Sequence, residues 1–209
     1  MLARFDDPAL AARLAADMAE NLRKRGGADK LLITEGPQKG KTLQQVAGGG
    51  DAVMAAIATI RFGDPAVISF NQRADDIAAF MREPWVMTGS DASPGHPRLY
   101  GSFARKWAQY VRADNVLTPR QFVLQSTTKT ARAFALKDRG ELRAGAFADI
   151  VVFDPARYAA RATYAAPTLT AAGVRIVLVN GRIAVEGGKL TGIAAGRALA
   201  QTPPPGSCP

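Results

Sequence analysis

The sequence predicts an α/β chain, and three observations predict it. Short apolar runs at Lys30 to Thr34 (KLLIT), Pro65 to Phe70 (PAVISF) and Trp85 to Thr88 (WVMT) alternate with stretches of helical periodicity. That alternation implies strands paired in parallel within an α/β layer. From Gly140 onward the pattern becomes strand-rich, and Asn180-Gly181 lies between two apolar runs, the strongest short-range hairpin signal.

Each element has a local reason. Asp7 or Asp6 caps a first helix with Pro8 in its first turn, and Ala/Leu/Met periodicity carries it to about Leu22. Arg23-Lys24-Arg25 then complements the helix dipole, and Gly26-Gly27 stops the helix. Thr42 opens a short helix with Leu43 and Val46 as core residues. The break at Gly48-Gly49-Gly50 precedes Asp51, which caps AVMAAIATIRF. Ala74 to Met81 and Phe103 to Val111 read as helices, Thr118 caps another that starts at Pro119 and runs through Gln125, and Lys129 to Phe134 forms a further short one. Ala148 to Phe153, Val174 to Val179 and Arg182 to Glu186 read as strands, the last closed by Gly187-Gly188.

Composition excludes several function classes. The chain has 209 residues, 47% of them hydrophobic, and no stretch approaches the ~20 apolar residues of a membrane span. The amino terminus reads as an amphipathic helix and has none of the marks of a secretory signal, so a cytoplasmic location is expected. The net charge of +9 is dispersed through the helices without an interleaved aromatic platform, which argues against specific nucleic-acid binding. Cys208 is the single cysteine, in the tail QTPPPGSCP, so no intrachain disulfide forms. The triple glycine follows a helix and reads as a loop, not a phosphate cradle.

Candidate chemistry concentrates in residues 85–101, WVMTGSDASPGHPRLYG. An apolar run ends at Ser90-Asp91, and an acidic side chain at the carboxyl end of a barrel strand would face the mouth of the barrel. From local sequence alone, a helix cap or Asx turn is the commoner use of such an aspartate. His96 is the sole histidine of the chain, and one histidine cannot supply the three protein ligands usual for catalytic zinc. Arg98 is suited to pairing two carboxylate oxygens at once, although an unassigned arginine is more often solvated.

Asp91, the triplet His96-Pro97-Arg98, the YGSF of Tyr100 to Phe103 and the distal KDRGELRAGAFADIVVFDP of Lys137 to Pro155 occur in that order. Together they resemble the carboxyl-terminal part of the N-acyl-D-amino-acid deacylases (D-aminoacylases) of the amidohydrolase superfamily, from about Leu31 to about Leu199. The resemblance implies a partial TIM-type (β/α) barrel over residues 1–136, with PAVISF and WVMTGSD as its seventh and eighth strands. It further implies part of a small β-sandwich over 137–199, followed by a disordered tail at 200–209.

The resemblance also implies roles. Asp91 would bind zinc and shuttle a proton from water to the leaving nitrogen of an N-acyl-D-amino acid. Arg98 would hold the substrate carboxylate, and His96 would order the loop or hydrogen-bond near Asp91 without ligating metal. Members of the family carry a H-x-H pair, a bridging ligand such as cysteine and two further histidines; a chain with one histidine cannot provide the histidine ligands, and its one cysteine, Cys208, lies in the tail. A complete barrel also usually needs ~250 residues. The isolated chain is therefore expected to lack hydrolase activity unless a missing amino-terminal polypeptide supplies strands and ligands. The alternative is a non-catalytic interaction module that self-associates or pairs with another chain.

Overall fold

The computed structural model describes residues 7–199. It divides into two compact units, Met1–Ala74 and Asp75–Pro209. The expected tail at 200–209, with Cys208, lies outside the described residues.

In the first unit, α1 (Pro8–Lys24) is capped by Asp7, whose Oδ1 accepts from the Ala9 N–H at 2.9 Å. Past Lys24, Gly26 and Gly27 take φ of 91° and 103°, conformations that L side chains avoid, and the chain leaves the helix there. After a 3₁₀ turn come β1 (Leu31–Ile33), α2 (Leu43–Ala47), α3 (Ala52–Gly63) and β2 (Val67–Ser69). Thr42 and Gln45 form a reciprocal capping box on α2, and Asp51 caps α3 through the Val53 N–H. Leu22, Ala28, Leu31, Leu43 and Ala56 make the core.

The expected parallel pairing is corrected here: β1 and β2 are antiparallel, with Leu31 opposite Ser69 and Ile33 opposite Val67. A reversal intervenes between β1 and α2. The Gly36–Gly40 turn folds the chain back so that Thr42 bridges Leu32 in antiparallel fashion, with Ile33 N–H donating to Lys41 O at 2.9 Å. That extra change of direction inverts the polarity with which the chain returns as β2.

The second unit contains α4 (Ala74–Arg82, beginning at the unit boundary), α5 (Arg98–Arg105), α6 (Pro119–Ser126) and α7 (Thr128–Ala133). Helix α5 continues as a π-helical segment, Lys106–Ala113, in which Asp114 N–H donates to Gln109 O at 2.8 Å. The helix expected from Phe103 thus begins at Arg98 and is longer. Thr118 and Gln121 form the capping box of α6 with Pro119 in its first turn.

A four-stranded antiparallel sheet follows, in the order β3 (Ile150–Phe153), β4 (Val174–Val179), β5 (Arg182–Glu186) and β6 (Lys189–Leu190). Asn180 and Gly181 have φ of 49° and 78°, the left-handed pair that a two-residue hairpin turn requires. Gly173, at φ 78°, lies so close to Arg157 and Tyr158 that a Cβ there would be 2.5 Å from Tyr158 N.

Trp107, Val111, Leu117 and Phe122 form the core of this unit, with Phe153 and Tyr158 packed against it. Trp107 meets Phe122 and Phe153 edge-on, with centroids 5.2 and 5.1 Å away, and its indole N–H donates to Pro155 O at 2.9 Å. The sheet is thereby fastened to the helices through one aromatic cluster.

The run Trp85 to Thr88 is not a strand, which corrects the third-strand expectation. Trp85 is 65% exposed and Met87 37%. A strand needs a neighbour for its backbone groups, and here they bond elsewhere: Thr88 N–H donates to Gln125 O at 3.0 Å, and Val86 N–H donates to Glu83 O at 3.2 Å. The overall class is mixed α/β, built from two small antiparallel sheets and short helices.

Candidate functional site

The loop from Thr88 to Arg98 brings the three expected residues together. Asp91 sits at φ 44°, a left-handed conformation that short polar side chains tolerate better than most. Its carboxylate projects outward, 86% exposed, and Oδ2 lies 2.9 Å from Nη1 of Arg98. Arg98 starts α5, whose first turn is set by Pro97. Its Nε is buried and has no hydrogen-bond partner, so the guanidinium fork is only partly used.

His96 orders this loop. Its Nδ1 accepts the Arg98 backbone N–H at 3.0 Å, which places the ring proton of the neutral imidazole on Nε2. The ring packs edge-on against Tyr164, with centroids 5.6 Å apart. Burial and then the Arg98 charge lower its pKa from the ordinary 6.5, while Asp91 opposes them. Ser102 donates to the Arg98 carbonyl at 2.8 Å, and Gly101 lets α5 approach Ala160, whose Cβ would be 3.2 Å from a Cβ at position 101.

Beneath the loop lies a polar cluster that sequence reasoning missed. Lys106 is 6% exposed, and its Nζ donates to Thr88 Oγ1 at 2.8 Å and to Gln125 Oε1 at 2.7 Å. Burial and then the Lys129 charge bring its pKa down to about 8. In sequence, Lys106 reads as one more cation of a solvated helix, and no local signal separates it from Arg105.

Among the described residues, no three of His, Cys, Asp and Glu gather where they could hold a metal ion. Asp91 is the one carboxylate of the loop and His96 Nδ1 is already engaged. These residues do not by themselves make up the three protein ligands usual for catalytic zinc. No described helix is long and apolar enough to cross a membrane.

Comparison with known proteins shows the family of the chain. The chain is 42% identical over 148 residues to the N-acyl-D-glutamate deacylase of Alcaligenes xylosoxydans xylosoxydans, a match covering 68% of this chain and 30% of that protein. Among solved structures, it is similar to the N-acyl-D-glutamate deacylase of Bordetella bronchiseptica complexed with zinc and a phosphonate mimic of the tetrahedral intermediate. That match has TM-score 0.70 and 37% identity, and covers 77% of this chain and 35% of that one. A D-aminoacylase structure superposes with TM-score 0.74 at 34% identity, over 80% of this chain and 37% of that chain. The chain thus spans about a third of the length of these relatives. With the profile described as the Amidohydrolase family matching residues 10–185, this chain belongs to the amidohydrolase family.

Proposed function

We propose that this chain is the carboxyl-terminal part of a zinc-dependent amidohydrolase that cleaves the linear amide C–N bond of N-acyl-D-amino acids. Residues up to Leu136 would form the last part of its barrel, and those from Lys137 to Leu199 part of its β-sandwich. The observation that carries the reading is the proximity of a carboxylate and a guanidinium on one loop, Asp91 and Arg98, 2.9 Å apart. The solved relative from Bordetella, bound to zinc and a phosphonate mimic of the tetrahedral intermediate, supports the reaction class.

Asp91 is the proton-transfer group. Water adds to the acyl carbonyl, Asp91 takes the proton that water loses, and it returns that proton to the nitrogen as the C–N bond breaks. A carboxylate suits both directions, since its oxygens accept when ionised and one donates when protonated. Arg98 binds the α-carboxylate of the substrate and so fixes the acyl group relative to Asp91. When substrate arrives, Arg98 exchanges one carboxylate partner for another. His96 holds the backbone of Arg98 and is no ligand.

Zinc belongs to the whole enzyme, in which Asp91 contributes one ligand and further barrel strands contribute the others. The isolated chain is inactive on this reading. Its test compares N-acetyl-D-glutamate with a derivative whose α-carboxylate is an amide, using the chain combined with a polypeptide that carries the remaining barrel strands. Arg98→Met should abolish the preference for the free carboxylate. Equal preference before and after the substitution would remove Arg98 from the site.

A second reading, self-association, is favoured by exposed apolar side chains. Phe62 is 81% exposed, Trp85 65% and Phe80 60%, and Phe80 and Trp85 stack edge-on on the surface. Light scattering tests it: a defined oligomer supports self-association, and a monomer at high concentration opposes it.

A further inference from the structure

Thr88 stands three residues before Asp91, at a point where a barrel strand would be held by a ladder of backbone bonds. The described segment from Val86 to Ser90 has no such ladder. It is held instead by a cluster at Thr88. The Thr88 N–H donates to Gln125 O at 3.0 Å, its hydroxyl lies 2.9 Å from Ser126 Oγ, and the same oxygen accepts from Lys106 Nζ at 2.8 Å. Gln125 is 1% exposed and is itself fixed, with Nε2 donating to Met81 O at 2.9 Å.

Lysine is an expensive way to fill a buried position. Desolvation penalises its charge, and no carboxylate pairs with Lys106 among the described residues. A methionine would occupy the same volume without that penalty. What lysine adds is N–H donors, and two of the three on its ammonium are spent on groups that fix the approach to Asp91. Its one charged neighbour by effect is Lys129 on α7, which disfavours the cation further.

We propose that Lys106 is a positioning residue for Asp91: by binding Thr88 and Gln125 together, it fixes the segment on which the Asp91 carboxylate is presented. The inference rests on the reading of Asp91 as the proton-transfer group, because displacement of such a group by as little as 1 Å costs rate.

Hydrogen exchange on the chain itself tests the link without reference to activity. In Lys106→Met, the Thr88 amide should lose about tenfold in protection relative to the Val177 amide, which sits in the central strand β4 and reports on the unit as a whole. Thr88→Val should reproduce the loss from the other end of the bond. The double variant should lose little more than either single one, as expected for two groups acting through one contact. Equal loss at Thr88 and Val177, or additive losses in the double variant, would overturn the proposal.

With the complementing polypeptide, Lys106→Met should lower kcat about tenfold at unchanged KM. A rise in KM alone would also overturn it. If the combined enzyme proves inactive, the deacylase reading fails and the exchange result still decides whether Lys106 holds the loop.

Discussion

Nη1 of Arg98 lies 2.9 Å from Oδ2 of Asp91, joining across one loop the two side chains on which the proposed chemistry depends. The carboxylate is 86% exposed and the guanidinium side chain 36%, so water screens the pair. Exposed ion pairs contribute about 0–1 kcal/mol. Arg98→Met should therefore change the unfolding free energy by less than about 1 kcal/mol in urea titrations. In the combined enzyme, the same substitution should raise KM roughly ten- to a hundredfold, the worth of a charge-assisted pair to substrate. Arg98→Lys should fall between, because it keeps the charge and loses the fork.

His96 should carry its proton on Nε2 and titrate below 6.5, because burial and the Arg98 charge both disfavour the imidazolium. Nitrogen-15 NMR of the ring reads tautomer and titration together. A proton on Nδ1, or a titration midpoint above 6.5, would contradict the loop-ordering role.

Lys106 makes stability depend on pH in the alkaline range. Below a pH of about 8 it is charged in both folded and unfolded chains, and the cost of burying that charge is present in full. Between about 8 and the ordinary 10.5, the unfolded chain binds more protons than the folded one, so stability rises with pH. Above that window, both forms are neutral. Subtracting the profile of Lys106→Met isolates this rise from the titration of Tyr158, whose pKa burial raises. A flat difference from pH 8 to 10.5 would show that Lys106 is not desolvated.

The two tryptophans should behave oppositely. Trp107 is 7% exposed and joins Phe122 to Phe153, whereas Trp85 is 65% exposed. Trp107→Ala should cost about 3–5 kcal/mol of stability, and Trp85→Ala under about 1 kcal/mol. Denaturant unfolding followed by circular dichroism measures both.

The sequence made the helix starts and the hairpin legible, because Asp7, Thr42, Asp51 and Thr118 act through bonds to residues two or three positions away, and Asn180-Gly181 acts through the left-handed backbone conformation of its own two residues. Strand polarity was not legible. The reversal at Gly36–Gly40 is closed by local bonds such as Lys39 N–H to Gly36 O, but the pairing of Ile33 with Val67, which sets the polarity, depends on a partner far along the chain. The run at Trp85 to Thr88 has the residues of a strand, and its irregular form follows from where its backbone finds acceptors. At the site, Asp91, His96 and Arg98 were visible as a motif within eight positions, whereas Lys106 gains its meaning from Gln125 on another helix.

The most direct measurement is metal content and hydrolysis of N-acetyl-D-amino acids by the purified chain, alone and combined with a polypeptide that carries the remaining barrel strands and their H-x-H pair. The expected result is stoichiometric zinc and D-selective hydrolysis in the combination only, both lost with Asp91→Asn. Hydrolysis by the chain alone, or an unchanged rate in a combination carrying Asp91→Asn, would contradict the assignment of a divided active site built around Asp91.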